Sequence, residues 1–329
     1  MFFSVIIPVL NGKKYIRKCF EAIKGVNTPK TEFEVILVDN GSKDETLEIA
    51  KQFSNEFKLE ILHKTPGKIS SLRNYGASNA QGEILVFLDI DCIVSKEWLN
   101  NGREAFLKSE QKVGKYEITA ITGAPYTIPE DSSWVAEAWN LNSSNIQSEG
   151  ETKWLPSGNI FVKKGVFLEL GGFDESLETN EDFDLCYRCR ELGYKIFLDP
   201  AIFVIHLGAP QTLKEFFRKE LWHGKDVFKV FLKSGTKLKN IKAVIFSFSY
   251  LLLLLAIIFS IYQGYSKNSF LITYILIFVF LGFPVFLAFL ITWKQRQFKY
   301  MFGLGILLLT YGIARAVCVL NFNWLRLEQ

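Results

Sequence analysis

The sequence predicts an α/β domain built on a mostly parallel sheet, followed by three helices that cross a membrane. Short apolar-rich runs at Ser4–Pro8, Glu34–Asp39 and Ile84–Leu88 alternate with stretches of helical periodicity, the pattern of parallel strands joined by helical crossovers. Thirty phenylalanines and a positive mean hydropathy add a membrane part.

The first strand, Ser4–Pro8, meets a polar stop at Asn11-Gly12. The second, Glu34–Asp39, runs through Asn40-Gly41-Ser42 into a helix expected over Lys43–Phe57, whose apolar positions are Leu47, Ile49, Ala50 and Phe53. Leu59–Leu62 is a further short strand. Pro66-Gly67 then breaks the chain, and Ser70–Ala80 reads as a helix that Ser70 or Ser71 can cap, with Gly76 and Ala77 permitting close packing.

The Ile84–Leu88 strand ends in Asp89 and Asp91, an i, i+2 pair that a strand aims toward one face. Two acids at the C-terminal edge of a buried parallel strand suit a hard divalent cation, which in turn can hold a diphosphate. Beyond them, Gly123 to Trp154 loses periodicity, with Pro125, Pro129 and a polar run from Asn140 to Thr152. From about Asp182 a helix places Leu185, Cys189 and Leu192 on one apolar face. Cys186 and Cys189 form a C-x-x-C, but no second pair or nearby His completes a zinc set, so they read as packing residues.

Three apolar stretches fill the C-terminal quarter. Residues 243–262 and 269–293 carry no charge and residues 301–321 carry only Arg315, each near the roughly 20 residues that span a bilayer. From residue 242 onward the net charge is +6 against +4 for the whole chain, which leaves the N-terminal part at −2 and gives no support for nucleic-acid binding. Lys233, Lys237, Lys239 and Lys242 precede the first span, and Lys294, Arg296 and Lys299 separate the second from the third. The positive-inside rule puts both groups, and the N-terminal domain, in the cytoplasm, with the C-terminus on the outer side. Met1–Leu10 has no basic n-region of a secretory signal. Between the two parts, Gln211–Lys242 interleaves Leu213, Phe216, Phe217, Trp222, Phe228, Val230, Phe231 and Leu232 with Lys214, Arg218, Lys219, Lys225, Lys229 and Lys233, a composition suited to a membrane interface. The expected organisation is a domain over 1–210, an interfacial linker over 211–242, spans within 243–322 and a tail over 323–329.

Five motifs in order carry a resemblance. They are Ile7-Pro8-Val9-Leu10-Asn11, Val38-Asp39-Asn40-Gly41-Ser42 with Asp44, Arg73-Asn74 with Gly76, Asp89 with Asp91, and Gly171-Gly172-Phe173-Asp174 followed by Glu181-Asp182. Over its first 210 or so residues the chain resembles a family 2 glycosyltransferase of the nucleotide-diphospho-sugar (GT-A) fold. The resemblance implies an inverting enzyme that uses Mg2+ or Mn2+ and takes its sugar from a nucleotide-diphospho-sugar donor. It implies a nucleotide cradle of Pro8, Val9, Asn11 and Asp39, with Lys68 and Arg73 near the base or diphosphate. Asp39 equally suits an Asx-turn after its strand. Asp91 is the expected direct metal ligand, Asp89 a ribose or metal partner, and His206 a further metal ligand. Asp182, beside Glu181, matches the base that removes a proton from an acceptor hydroxyl, although the same acids make an ordinary first turn of a helix. Many relatives carry Glu after the first-motif Asn where this chain has Gly12-Lys13, which puts that ribose contact in doubt. The Q-x-x-R-W of processive relatives is here reduced to the Trp of Arg218-Lys219-Glu220-Leu221-Trp222, so one sugar per encounter is expected.

The acceptor expected is a hydroxyl of a lipid-linked saccharide or glycolipid precursor, met at the bilayer, with the 123–154 region either facing it or forming a plain surface insertion. Two other readings remain: a polyprenyl-phosphate acceptor, and a catalytically inactive membrane partner protein of the same fold. No G-x-G-x-x-G follows an early strand, which removes a dehydrogenase.

Overall fold

The structure, a computed structural model, describes residues 1–112, 118–143, 148–227, 230–231 and 241–320. The chain forms two compact units. The first comprises residues 1–129 and 144–209, the second residues 130–143 and 210 onward.

In chain order the elements are β1 (Phe3–Val9), α1 (Lys13–Lys24), β2 (Phe33–Asp39), α2 (Thr46–Lys51), β3 (Leu59–His63), α3 (Ile69–Asn79), β4 (Ile84–Leu88), β5 (Cys92–Val94), α4 (Trp98–Lys112), β6 (Thr119–Gly123) and β7 (Tyr126–Thr127). They continue with α5 (Trp134–Ser143), β8 (Gly150–Thr152), β9 (Asn159–Lys163), α6 (Lys164–Glu169), α7 (Glu181–Glu191), β10 (Lys195–Leu198), β11 (Val204–His206), α8 (Leu213–His223), α9 (Ile241–Lys267), α10 (Leu271–Gln295) and α11 (Met301–Leu320).

The first unit is built on a sheet of order β3-β2-β1-β4-β9-β6-β10-β8. β1 to β4 run parallel to one another, β9 is antiparallel to both its neighbours, and β10 returns parallel to β6. Every residue of β1 and β2 is buried, as strands covered on both faces require. The pleat sends Phe3, Val5, Ile7 and Val9 into one core with Phe20, Phe33, Phe53 and Phe57, while Ile6 joins Val38, Phe87, Phe167 and Phe173 in the other. A small second sheet, β5-β11-β7, lies in the same unit.

Several local expectations are corrected. The helix expected over 43–57 shrinks to α2, because Phe53 and Phe57 leave it to pack edge-on against Phe20 at 5.4 and 5.6 Å. Neither serine caps α3. Ser70 Oγ donates to Leu177 O at 3.3 Å and Ser71 Oγ to Lys68 O at 3.0 Å. Asp89 and Asp91 lie beyond the end of β4, in a turn closed by Cys92 N–H donating to Asp89 O at 3.1 Å, so no strand pleat aims them. Leu192 is 55% exposed, since α7 ends at Glu191 before its apolar face reaches that residue, whereas Leu185, Cys186 and Cys189 are buried in the core. The 123–154 region, read as irregular, contains α5.

In the second unit Val244–Lys267, Leu271–Gln295 and Phe298–Leu320 are long and apolar enough to cross a membrane. Ile258, Phe259, Leu271 and Phe278 expose apolar surface on α9 and α10, whereas Leu304, Leu307 and Leu308 of α11 are buried with Val135, Ala138, Phe216 and Ala288. α8 opens on a capping arrangement: Thr212 Oγ1 accepts from Glu215 N–H at 3.2 Å, and Gln211 N–H donates to Glu215 Oε2 at 2.7 Å. Its outer face exposes Leu213, Lys214, Arg218 and Trp222, and Glu220 turns inward to Arg315 Nη2 at 2.8 Å. Of the linker residues, Phe228, Lys229, Leu232, Lys233, Lys237 and Lys239 lie outside the described residues, as does the 323–329 tail.

Gly312 of α11 sits against the Tyr250 ring of α9, so close that an added Cβ would collide with it. Small residues at such crossings let apolar helices approach. Gly312→Val is expected to cost about 1–3 kcal/mol of stability, measured as a lowered thermal midpoint in detergent. Adding Tyr250→Ala should recover part of that loss. A midpoint unchanged by Gly312→Val alone would show that the crossing is not close-packed.

Candidate active site

The order β3-β2-β1-β4 reverses direction at β1, and the carboxyl ends of strands at such a switch point leave a crevice. Here β1 and β4 part early. Their pairing ends at Ile6 and Phe87, two residues before Pro8, which has no N–H to give. Asp89 N–H turns instead to Gly158 O at 3.2 Å.

On the β1–β2 side, Val9 pairs with Asp39. Asp39 is 1% exposed, and its carboxylate accepts from Gly41 N–H at 3.0 Å and Ser42 N–H at 3.1 Å, the Asx-turn foreseen for it. Gly41, at φ +86, supplies the left-handed residue that turn needs. His63, opposite Asp39 in the register, places Nδ1 3.4 Å from Asp39 Oδ2. Asn11, also left-handed, donates its N–H to Ser42 Oγ at 2.8 Å and accepts Lys43 N–H on Oδ1 at 2.9 Å. The first two motifs thus knit one loop pair. Lys68, exposed before α3, donates Nζ to Ser176 O at 3.0 Å.

Arg73 of α3 is 2% exposed and forks between two acids. Its Nη2 donates to Asp89 Oδ1 at 2.7 Å and its Nη1 to Glu181 Oε1 at 2.6 Å. Burial opposes the charge, but Asp89 and Glu181 more than offset it and hold the guanidinium protonated. Ser157 joins the chain from the turn before β9, donating Oγ to Glu181 at 3.0 Å and N–H to Asp182 Oδ2 at 3.3 Å. The next residue of the third motif works alongside. Asn74 donates to Phe173 O and accepts Phe173 N–H, both at 2.8 Å, which pins the Gly-Gly-Phe-Asp turn that leads into α7.

Asp182, in the first turn of α7, is half-buried, and its Oδ1 also accepts Phe183 N–H at 2.7 Å. Burial first, and then the neighbouring Glu181, push its pKa up to about 7 against the pull of those amides and Arg73. A carboxyl poised there can exchange a proton near neutral pH.

Asp91 faces the other way. Pairing of β5 with β11 sets Cys92 opposite His206 and brings His206 Nε2 to 3.3 Å from Asp91 Oδ2. Among the described residues no group of three or more His, Cys, Asp or Glu side chains gathers to hold a metal ion. Asp91 and His206 are nevertheless a converging carboxylate and imidazole, 21% and 11% exposed at their side chains. Such a pair fits a cation that completes its shell with water and substrate phosphate oxygens. Asp89 is turned from this pair toward Arg73.

Tyr126, Ser157 and Gly158 went unnoticed in the sequence. Tyr126 O–H lies 3.4 Å from Asp89 Oδ2, accepts Gly158 N–H at 3.0 Å, and stacks its ring on His206 with centroids 4.7 Å apart. The available signal was Pro156-Ser157-Gly158 directly before an apolar strand, where a glycine marks close backbone approach.

The family described as Glycosyl transferase family 2 matches residues 4–167. Glycosyltransferase AglE of Haloferax volcanii is 31% identical over 247 residues, covering 74% of this chain and 78% of that protein. The dolichyl N-acetyl-alpha-D-glucosaminyl phosphate 3-beta-D-2,3-diacetamido-2,3-dideoxy-beta-D-glucuronosyltransferase of Methanococcus voltae is 25% identical over 239 residues, 68% of this chain and 72% of that protein. Among solved structures, the mannosyltransferase PcManGT from Pyrobaculum calidifontis, in complex with GDP-Man and Mn2+, superposes with a TM-score of 0.62 over 96% of this chain and 86% of that chain. At 18% identity that likeness is one of fold.

Removing the fork's cation should be costly. Arg73→Met leaves Glu181 buried without its partner and is expected to destabilise the protein by about 3 kcal/mol, the low end for a broken buried pair, because Asp89 at 29% exposure can turn to water. The midpoint of thermal unfolding checks this. An unshifted midpoint would show that both acids relax into solvent.

Proposed function

The chain belongs to glycosyltransferase family 2, and on that premise we propose that it is an inverting, metal-assisted enzyme that moves one sugar from a nucleotide-diphospho-sugar to a hydroxyl of a lipid-linked saccharide or glycolipid precursor. The observation that carries this reading is Asp182. A phosphate acceptor is ionised near neutral pH and needs no base, whereas a hydroxyl gains from a carboxylate that takes its proton as the new bond forms. Asp182 has the proton affinity for that task, and two backbone amides hold its oxygens in place.

Each neighbouring group has a part. Glu181 and Arg73 fix the start of α7 and hence Asp182, and Arg73 holds Asp89 by one carboxylate oxygen. Pro8, Val9, Asn11 and Asp39 line the carboxyl ends of β1 and β2, where the nucleoside would lie, with Lys68 at the mouth of α3. Asp91 and His206 would hold Mg2+ or Mn2+, which when bound neutralises charge on the leaving diphosphate. The Mn2+ and GDP-Man of the Pyrobaculum structure favour this assignment.

Membrane placement rests on the second unit. Three helices long and apolar enough to span a bilayer, and an α8 that exposes Trp222 and Leu213 beside Lys214 and Arg218, suit work at a lipid surface. Lys294, Arg296 and Lys299 between the second and third helices favour a cytoplasmic catalytic domain and an outer C-terminus. The Methanococcus relative is named for a dolichyl N-acetyl-alpha-D-glucosaminyl phosphate, which supports a lipid-borne saccharide as acceptor here.

Two measurements test the proposal. Asp182 acts as a base only when deprotonated, so turnover at saturating donor should fall as pH drops through about 7 and level off above it. Asp182→Asn should erase that limb and lower turnover by roughly 10² to 10⁴ while donor affinity barely moves. Wild-type turnover in the variant refutes the base and transfers preference to a polyprenyl-phosphate acceptor. Asp91→Asn should abolish metal-dependent transfer in a folded protein, and undiminished turnover of the wild type in excess chelator would remove the metal from the mechanism.

A further inference from the structure

We propose that Tyr126 is the positioning residue that sets both acids of the turn after β4, through its hydroxyl for Asp89 and through its ring for His206 and Asp91. The inference rests on the donor-site reading above and adds to it a residue that touches neither donor nor acceptor in that reading.

The hydroxyl has one proton to give. Gly158 N–H already donates to the phenol oxygen at 3.0 Å, so the proton is directed to Asp89 Oδ2, 3.4 Å away. Arg73 holds the other oxygen, Oδ1, at 2.7 Å. Asp89 thus has one oxygen held by Arg73 and the other facing the Tyr126 hydroxyl, so its carboxylate lies between two elements, α3 and β7. Gly158 is a requirement of this arrangement, since a Cβ there would collide with both Asp89 Oδ2 and the Tyr126 hydroxyl.

The ring acts separately. β7 is only two residues long, yet it lies parallel on β11, with Tyr126 opposite Val204 and Thr127 Oγ1 donating to Val204 O at 2.9 Å. That pairing lays the Tyr126 ring on His206 at 4.7 Å and an interplanar angle of 26°. A stacked imidazole keeps one plane, and Nε2 stays aimed at Asp91 Oδ2, 3.3 Å away. Partners of this kind, one step removed from a metal ligand, typically change metal affinity 10–100-fold when lost.

Because the two roles use different atoms, two substitutions separate them. Tyr126→Phe keeps the stack and loses the bond to Asp89. Nucleotide affinity should weaken roughly tenfold, as expected for a hydrogen bond to a charged group, with Mn2+ affinity close to wild type. Tyr126→Leu loses the stack as well, and Mn2+ affinity should fall by about tenfold or more. The 329-residue chain in detergent is used, with UDP and GDP as nucleotide probes by calorimetry at saturating Mn2+, and free Mn2+ counted by electron paramagnetic resonance at saturating nucleotide. Asp91→Asn is measured in parallel. Tyr126→Phe stands on its own if the leucine variant does not fold. Equal behaviour of Tyr126→Phe and wild type in nucleotide binding, or wild-type Mn2+ affinity in a folded Tyr126→Leu while Asp91→Asn loses it, overturns the assignment to Tyr126 alone. Mn2+ binding that survives Asp91→Asn overturns the donor-site reading and this inference with it.

Discussion

The buried guanidinium of Arg73 is the constraint on which the candidate site depends. A cation removed from water must be matched by acids in good geometry, and Arg73 meets this with one acid per fork tine, Asp89 from the turn after β4 and Glu181 from the first turn of α7. Three segments far apart in sequence are thereby fixed to one point. Asp182 inherits its place from the same bond, because it follows Glu181 and because Ser157 spans both acids. The raised proton affinity of Asp182 comes from burial first and from the neighbouring Glu181 second, and the amides of Phe183 and Ser157 and the charge of Arg73 offset it only in part.

The motifs are thus physically coupled parts. Asn74 pins Phe173, Asn11 binds the loop that carries Ser42 and Lys43, and Asp39 closes the turn around Gly41. The bonds of Asn11 and Asp39 orient the loops that follow β1 and β2, and those of Asn74 orient the turn between α6 and α7. The small β5-β11-β7 sheet does the corresponding work for Asp91, since the pairing of β11 with β5 brings His206 beside the turn.

Much of this was legible in the sequence because the signals were local. Continuous apolar runs marked β1, β2 and β4, residue-by-residue spacing marked the motifs, and long apolar stretches with at most one charge marked α9, α10 and α11. What stayed hidden was set by contacts across long separations. Nothing near Tyr126 tells that its ring will meet His206 eighty residues on, and α5 lacks a strong apolar stripe because Trp139 and Val135 find their partners in Phe216, Leu304 and Tyr311. The placement of Asp89 and Asp91 departs from the strand pattern for a related reason. Strand periodicity does not carry past Leu88, since pairing with β1 ends at Phe87, and the acids sit in a turn where Arg73 holds Asp89 and His206 faces Asp91.

The position of α5 in the chain is one that composition could not show. The segment lies between Tyr126 and Ser157–Gly158, all three of which belong to the first unit, yet α5 itself packs among α8, α10 and α11 in the second. Gln295 Nε2 donates to Leu141 O at 2.8 Å, and Trp139 stacks edge-on with Phe216 at 4.7 Å, so the helix is held by apolar elements from the far end of the sequence. An isolated ten-residue helix is marginal in water, and without those partners α5 would have no face to bury.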